Sequence, residues 1–508
     1  MEIIILTAGS RGDIQPMIAL GLELKKAGHN PRIVASLDFE NLITSYGLSF
    51  VSTRTDLSQL MKSGNASEAA SADNLLKMIS TLRNKEFRKK LIEVQEDFYK
   101  ICQVADLIIY HPGATIGYFA ALEKRIPSII ASPFPIAATS KYPAIMFYRY
   151  KLPNFLNLIT HNIFITMFWM ISKPQVRYFL SNNVSKFFKL KNPIRLDPIM
   201  TSCSPEVFIP PKNTFCKGYW ITPDPNNYLP SVELKEFLEK GDKPIYFGFG
   251  SVGNIKDAEK NTEIIIQSVL KAKKRAVIHT GYGGLSSKNN FSDSVYFIQE
   301  APHSWLFPRM SVVVHHGGAG TTASAFHAGI PQIILPHGLD QFAWAKRVEE
   351  LKVGVNLVNV KELNTEKLLE AITQAEKPEI KDNAKILGDK IRKENGAADA
   401  VDFISNYALK HKERIEKERK PIWFFKKAML LLSIPIIIGF LCISIYSLPL
   451  IISGQSMPES LSSFNNLIKS TKPWSDYVGL FLLANFIFFT IIKPFIHWFK
   501  FKFIKRGY

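Results

Sequence analysis

The sequence predicts an α/β protein of two facing, Rossmann-like doubly wound domains followed by a C-terminal transmembrane helical hairpin. Three observations carry this expectation: short apolar runs alternate twice with helix-length amphipathic stretches over residues 1–408, a Pro-rich break separates the two series, and a long uncharged apolar stretch follows residue 427. At 508 residues the chain also exceeds what one core supports, since domains split beyond about 250 residues.

The first series opens with the apolar run Ile3–Leu6, a Gly-containing loop at Gly9–Gly12, and then Ile14, Met17, Ile18, Leu20 and Leu24 at helical spacing up to Gly28. Arg32–Ala35, Leu107–Tyr110 and Ser128–Ala131 read as further short strands. The second series runs through Ile245–Gly250, Ala276–Thr280, Val295–Gln299, Val312–His315, Gln332–Leu335 and Gly354–Val358. Between them, Ile221–Pro230 is rich in Pro and Asn and reads as the interdomain linker. The expected domains are therefore residues 1–225 and 226–408, with no internal repeat visible in the sequence. Their ligand cleft is expected between the C-terminal ends of the two sheets.

Residues 140–190 interleave Phe, Tyr, Trp and Met with Lys and Arg, and read either as core helices or as an apolar acceptor pocket or membrane-docking face. Residues 409–427 form a basic juxtamembrane linker, and 428–508 a membrane anchor with apolar segments at 428–452 and 477–496. The first segment holds 25 uncharged residues, long enough to cross about 30 Å of hydrocarbon with tilt. The second is shorter and reads as a thin span or a re-entrant segment. Eight Lys and Arg residues lie between 410 and 427 and five follow Ile492, against Lys469 and Lys472 between the runs, so both flanks are expected in the cytoplasm.

Lys and Arg total 63 against 44 Asp and Glu. The clustering of this excess around the apolar runs points to an anionic membrane and away from nucleic acid, for which no recognised fold is present. The four cysteines are scattered without a C-x-x-C pair, which excludes a disulfide framework or zinc site and suits a reducing compartment. The opening MEIIILTAGSRGD has no basic region before its apolar run and reads as a buried strand, so the catalytic domains are expected in the cytoplasm.

The strongest local signal is Val312–Thr322, a strand entering a Gly-rich turn and then a helix. Unpaired N–H groups at a helix start, approached closely because glycines line the turn, form an anion site. Thr321 and Thr322 add hydroxyls, and His316 an imidazole N–H. A tight strand-to-helix turn without a ligand is the alternative. No G-x-x-x-x-G-K-[ST] loop is present, which argues against a P-loop NTPase.

With TAGSRGDIQPMIALGLELKKAGH at the start, Phe249-Gly250-Ser251, APHSWLFPRMSVVVHHGGAGTT over 301–322 and PHGLDQFAWAKRVEELKVGV over 336–355, the chain resembles the GT-B glycosyltransferases that use nucleotide-diphosphate sugars. It is most similar to their sterol 3-beta-glucosyltransferase and antibiotic-aglycone branch, over essentially residues 1–405. The resemblance implies that His316, Gly317, Gly318, Gly320, Thr321 and Thr322 hold the donor diphosphate with Ser251 closing the other side. It places the base against Gln299–His303, with His303 in the donor site, and the sugar hydroxyls on Asp340 and Gln341. Asp340 also reads as a helix N-cap after Pro336. No Asp-x-Asp pair is present, so no metal and no cofactor beyond the UDP-sugar co-substrate is expected.

The acceptor hydroxyl needs a base as the new C–O bond forms. Asp13, after the first strand, is the candidate, with His111 at the end of Leu107–Tyr110 as its partner, reversing the His-then-Asp order of many relatives. The bland readings are a helix cap for Asp13, with Pro16 tolerated in the first turn, and a loop role for His111. His29 reads as structural, and Arg11 as a contact to a phosphate or to an acidic neighbour. The expected activity is inverting, metal-independent transfer of a hexose, glucose foremost, from a UDP-sugar to a sterol or other lipid hydroxyl at the cytosolic membrane face. The rivals are a transferase for soluble aglycones or a lipid-linked saccharide precursor, and a non-catalytic nucleotide-sugar-binding scaffold.

Overall fold

The computed structural model describes residues 1–55, 84–150, 152–183, 190–212, 214–223, 228–249, 258–281, 285, 293–338, 340–357 and 362–413. Ser251, the centre of the expected linker, residues 414–427 and both apolar segments of 428–508 lie outside these.

The first domain is built from β1 (Glu2–Leu6), α1 (Arg11–Lys26), β2 (Asn30–Ala35), α2 (Glu40–Ser45), β3 (Ser49–Ser52), α3 (Lys85–Ile101), β4 (Leu107–Tyr110), α4 (Ile116–Lys124), β5 (Ser128–Ser132), α5 (Asn157–Asn183), β6 (Ile199–Thr201) and β7 (Thr214–Phe215). Its seven strands pair in the order β3-β2-β1-β4-β5-β6-β7, all parallel. Both faces are covered, which is why β1, β4 and β5 are apolar runs rather than alternating ones. β3, β6 and β7 escape a periodicity reading because runs of two to four residues at a sheet margin carry too little pattern.

The second domain contains α6 (Val232–Glu239), β8 (Ile245–Gly248), α7 (Ala258–Lys271), β9 (Ala276–His279), β10 (Val295–Ile298), α8 (His303–Leu306), β11 (Val312–His315), α9 (Ala319–Ala328), β12 (Gln332–Ile334), α10 (Gln341–Glu350), β13 (Gly354–Asn356), α11 (Thr365–Ala375) and α12 (Pro378–Ile391). Its parallel sheet has the order β10-β9-β8-β11-β12-β13, which repeats the first six positions of the other sheet strand for strand. The internal repeat invisible in the sequence is thus present in the topology. It is a repeat of connections and not of side chains.

Two expectations change. The chain does not stay in the second domain to residue 408. A helix over 396–413 returns to the first, where Ala400, Val401 and Ile404 are buried with Ile3, Met17 and Leu24, and Phe403 lies 5.1 Å from Phe215. Pro16 is also the sixth residue of α1 and not in its first turn, so the Gly12 carbonyl has no N–H four residues on to receive.

The outward and return strands of chain cross at two glycines. A Cβ on Gly396 would meet the Gly218 carbonyl oxygen at 2.4 Å, and Gly218 itself has a φ of +145°. Glu394 sits beneath, accepting a 2.6 Å hydrogen bond from the Ser204 hydroxyl. Backbone cannot retreat as a side chain can. Gly396→Ala is therefore expected to lower stability by ~1–3 kcal/mol in urea titrations, while Ala398→Ser on the exposed side of the same helix leaves it unchanged.

Candidate active site

The C-terminal ends of the two sheets meet at the N-termini of α1 and α9. A Cβ on Gly320 would lie 3.4 Å from Gly12 Cα, and one on Gly12 would lie 3.7 Å from the Gly320 nitrogen. A Cβ at either place would just reach van der Waals contact with the other helix, so the two helix starts lie directly against each other. Arg11 crosses the same boundary to Glu300, with Nη1 2.6 Å from Oε1. Of the two readings open for Arg11, the acidic neighbour is the one in the structure.

Asp13 is the third residue of α1 and not its N-cap, which is Ser10. Its Oδ2 accepts from the Ser10 N–H at 2.7 Å and the Ser10 hydroxyl at 3.1 Å. That fixes the carboxylate and leaves Oδ1 turned toward His111, whose Nε2 is 3.5 Å away. His111 Nδ1 accepts the Gly113 N–H at 3.1 Å. An N–H aimed at Nδ1 requires a lone pair there, so the ring proton sits on Nε2 and faces Asp13. The cap and the His contact coexist because they use different oxygens.

On the other side, β11 ends at His315, and the chain turns through His316, Gly317 (φ +90°) and Gly318, the N-cap of α9. His315 is fully buried. Its Nδ1 accepts the Gly317 N–H at 3.1 Å, and its Nε2–H meets Gln332 Oε1 at 2.9 Å. His316 Nδ1 has no partner, while its ring is hydrogen-bonded to the Gly248 backbone. Burial, with His315 and His337 beside it, pushes the His316 imidazole down to about 3, so it carries a single proton at neutral pH. A Cβ on Gly318 would meet His316 Nε2 at 2.6 Å. Thr322 donates its hydroxyl and its N–H to the Gly318 carbonyl, both at 2.9 Å, so it offers an anion nothing. The unpaired donors are the N–H groups of Ala319, Gly320 and Thr321.

Gln341 and Asp340 start α10. Gln341 Oε1 accepts the N–H groups of His337 at 2.7 Å and Gly338 at 3.2 Å, which leaves its NH2 available. Asp340 occupies the N-cap position without capping: its Oδ2 instead accepts Trp344 Nε1–H at 3.1 Å. Burial, with the negative charge of Asp13 as a smaller contribution, pushes its carboxyl up to about 6. His303 begins α8 with its ring stacked on Phe307 at 4.3 Å, and burial drives it down to about 3. It lies in the second domain, close enough to feel the charge of Arg11.

The structure thus brings Asp13 to His111 and sets Gly317 against Gln341, whose backbone oxygen a Cβ on Gly317 would meet at 3.1 Å. Sequence reasoning missed Glu300, His315, His337 and Trp344. One signal pointed to His315: the spacing His-x-Gly occurs as His111-Pro112-Gly113 and His315-His316-Gly317 at equivalent strand ends.

Residues 3–142 match the glycosyltransferase family 28 N-terminal domain, and residues 263–401 the erythromycin biosynthesis protein CIII-like C-terminal domain. The chain thus carries two glycosyltransferase domains in the GT-B fold. It is 33% identical over 438 residues to a sterol 3-beta-glucosyltransferase of Leptosphaeria maculans, covering 83% of this chain and 30% of that one. It is 32% identical over 427 residues to one of Saccharomyces cerevisiae, covering 79% and 35%. The chain therefore spans about a third of the length of these curated relatives. A spinosyn rhamnosyltransferase complexed with thymidine diphosphate shares the fold, with a TM-score of 0.56 and 14% identity over 80% of this chain and 100% of that one.

Asp340 yields a signed pH prediction. A carboxyl at about 6 in the folded GT-B protein against 3.8 unfolded contributes stability that is whole below pH 3.8 and lost as pH rises through 6. Asp340→Asn, which cannot ionise, should therefore gain stability relative to the native chain between pH 4 and pH 8. Urea midpoints across that range measure it, and a difference that stays flat or reverses contradicts the shift.

Proposed function

We propose that this chain is an inverting glucosyltransferase that moves a hexose, glucose foremost, from a nucleotide-sugar, UDP-glucose foremost, to the hydroxyl of a sterol or other membrane lipid. The Asp13–His111 pair carries the reading. Asp13 Oδ1 takes the acceptor proton as the acceptor oxygen attacks the anomeric carbon, and the bond from that carbon to the diphosphate oxygen breaks on the opposite face. His111 is a positioning residue: with its Nδ1 committed to Gly113 it has no lone pair left at Nε2 and cannot itself be the base.

The departing diphosphate takes its charge onto the Ala319, Gly320 and Thr321 N–H groups at the start of α9. His316 joins by moving its one proton to Nδ1, the unpartnered nitrogen, at the cost of its contact with the Gly248 backbone. Asp340 and the free NH2 of Gln341 read the sugar hydroxyls. With no Asp-x-Asp pair in the chain, these groups act without a metal ion. The acceptor class follows the relatives, each named sterol 3-beta-glucosyltransferase. The thymidine diphosphate bound to a neighbour of the same fold makes that nucleotide the alternative donor.

We further propose that residues 428–508 anchor the chain as a hairpin, at 428–452 and 477–496, with the catalytic domains on the cytosolic face. The basic residues flanking both runs and the buried, unpaired Cys102, Cys203 and Cys216 support this side.

Membranes carrying the full chain, supplied with radiolabelled UDP-glucose or TDP-glucose and with sterol, ceramide and phenolic acceptors, should yield steryl glucoside from UDP-glucose. Product only on phenols would move the acceptor class, and no product across the panel would favour a binding scaffold. Asp13→Asn should cost ~10²–10⁴ in kcat with KM for the donor unchanged, because the amide keeps the Ser10 contacts and loses the base. Unaltered turnover would remove Asp13 from the mechanism.

A further inference from the structure

The helix α5 has two apolar faces, and the fold uses one. Phe164, Ile165, Trp169, Val176, Phe179 and Leu180 are buried in the core of the first domain. On the opposite side Phe155 just before the helix, then Ile159, Ile163 and Met170, follow one another at intervals of four and seven residues and are exposed, Phe155 by 77% and Met170 by 65%. A helix on the surface of a soluble domain turns polar residues outward. Among the described residues, the stretch Asn154–Ser181 is the one long and apolar enough to cross a membrane. It cannot do so while its inner face is core.

Charge marks the same region. Residues 124–196 contain 11 Lys and Arg and not one Asp or Glu, where the whole-chain frequency of acids would place about six. Asp197, the first acid afterwards, is turned inward to accept from Tyr110 at 2.9 Å and Ser128 at 2.5 Å. Arg195 reaches the exposed side of α5, its Nη2 3.4 Å from Thr166 Oγ1, and Arg177 is exposed near the helix end. An apolar stripe on a segment that carries cations and no acid of its own fits a surface that is apolar within and anionic at its edge.

We propose that α5 is a monotopic docking helix that lies in the interface of an anionic phospholipid bilayer, with Phe155, Ile159, Ile163 and Met170 among the acyl chains and the surrounding Lys and Arg on the headgroups. A second copy is disfavoured as the occupant because two copies of a segment with 11 Lys and Arg and no acid of its own repel. The stripe is distinct in sequence from the anchor proposed at 428–508 and would orient the domain on the bilayer. It is coupled to the site: the Thr115 hydroxyl, four residues after His111, lies 3.2 Å from the Ser172 hydroxyl of α5. The inference deepens the membrane part of the proposed function but does not depend on which lipid is glucosylated.

The test uses the full chain carrying Cys442→Ser, in which Cys102, Cys203 and Cys216 are buried, with Ile163→Cys bearing an environment-sensitive fluorophore. Val232→Cys, exposed on α6, is the control. In phosphatidylcholine vesicles containing about a third phosphatidylserine, the Ile163 probe should shift to the blue and lose roughly half its emission to acyl-brominated lipids, with the control probe unmoved. Omitting phosphatidylserine or raising salt to about 0.5 M should reverse most of this. An Ile163 probe that remains in water on vesicles holding the chain overturns the proposal. So does shielding from water without bromine quenching, which marks a protein cover, either a second copy or residues 414–508. Quenching is read without turnover, so a failed acceptor assignment leaves this result standing.

Discussion

The meeting of two helix starts at Gly12 and Gly320 organises everything around it. Each N-terminus carries unpaired N–H groups and a partial positive charge, so bringing two together is unfavourable unless negative charge lies between or beside them. The chain supplies that charge from both sides, with Asp13 in the first turn of α1, Asp340 at the start of α10 and Glu300 on Arg11. Burial first, and the charge of Asp13 as a smaller contribution, raise the carboxyl of Asp340. On the proposed function, the charge of a departing diphosphate would be met here by backbone dipoles already in place at the start of α9.

The two domains solve the same local problem with one device and then diverge. At the end of β4 and of β11, strands equivalent in the two sheets, a histidine accepts through Nδ1 the N–H two residues ahead and so shapes the turn leaving the strand. The remaining Nε2–H points to Gln332 in one case and to Asp13 in the other. A buried amide makes His315 purely structural. At the His111 turn the partner is instead a carboxylate with a free oxygen, and in the proposed function the backbone N–H that fixes the His111 tautomer leaves Asp13 as the base.

The fold was largely legible because long parallel strands buried on both faces leave unbroken apolar runs, as Ile3–Leu6 and Val312–Val314 do. Strands β3, β6 and β7 were not, being too short to show a period. The donor turn was legible from its glycines, but the hydroxyl of Thr322 was not, since a threonine at the fourth helical position can bond back to the carbonyl four residues earlier or face a ligand. Spacing does not decide between them. Asp13 read as either cap or base, and spacing alone cannot say that one carboxylate oxygen binds Ser10 while the other faces His111.

Residues 140–190 read as either core or docking face, and α5 shows why those readings did not compete. A helix apolar all round has little amphipathic asymmetry, so its sequence cannot say which side meets the protein. The core takes the face carrying Trp169 and Phe179, and the absence of acids from 124–196 then gives meaning to the face left over. A lipid hydroxyl has little reason to leave a bilayer for water. With α5 in the interface as proposed, the Thr115–Ser172 contact sets the bilayer one loop away from His111, the partner of the proposed base Asp13, and so shortens the path of a lipid acceptor out of the membrane.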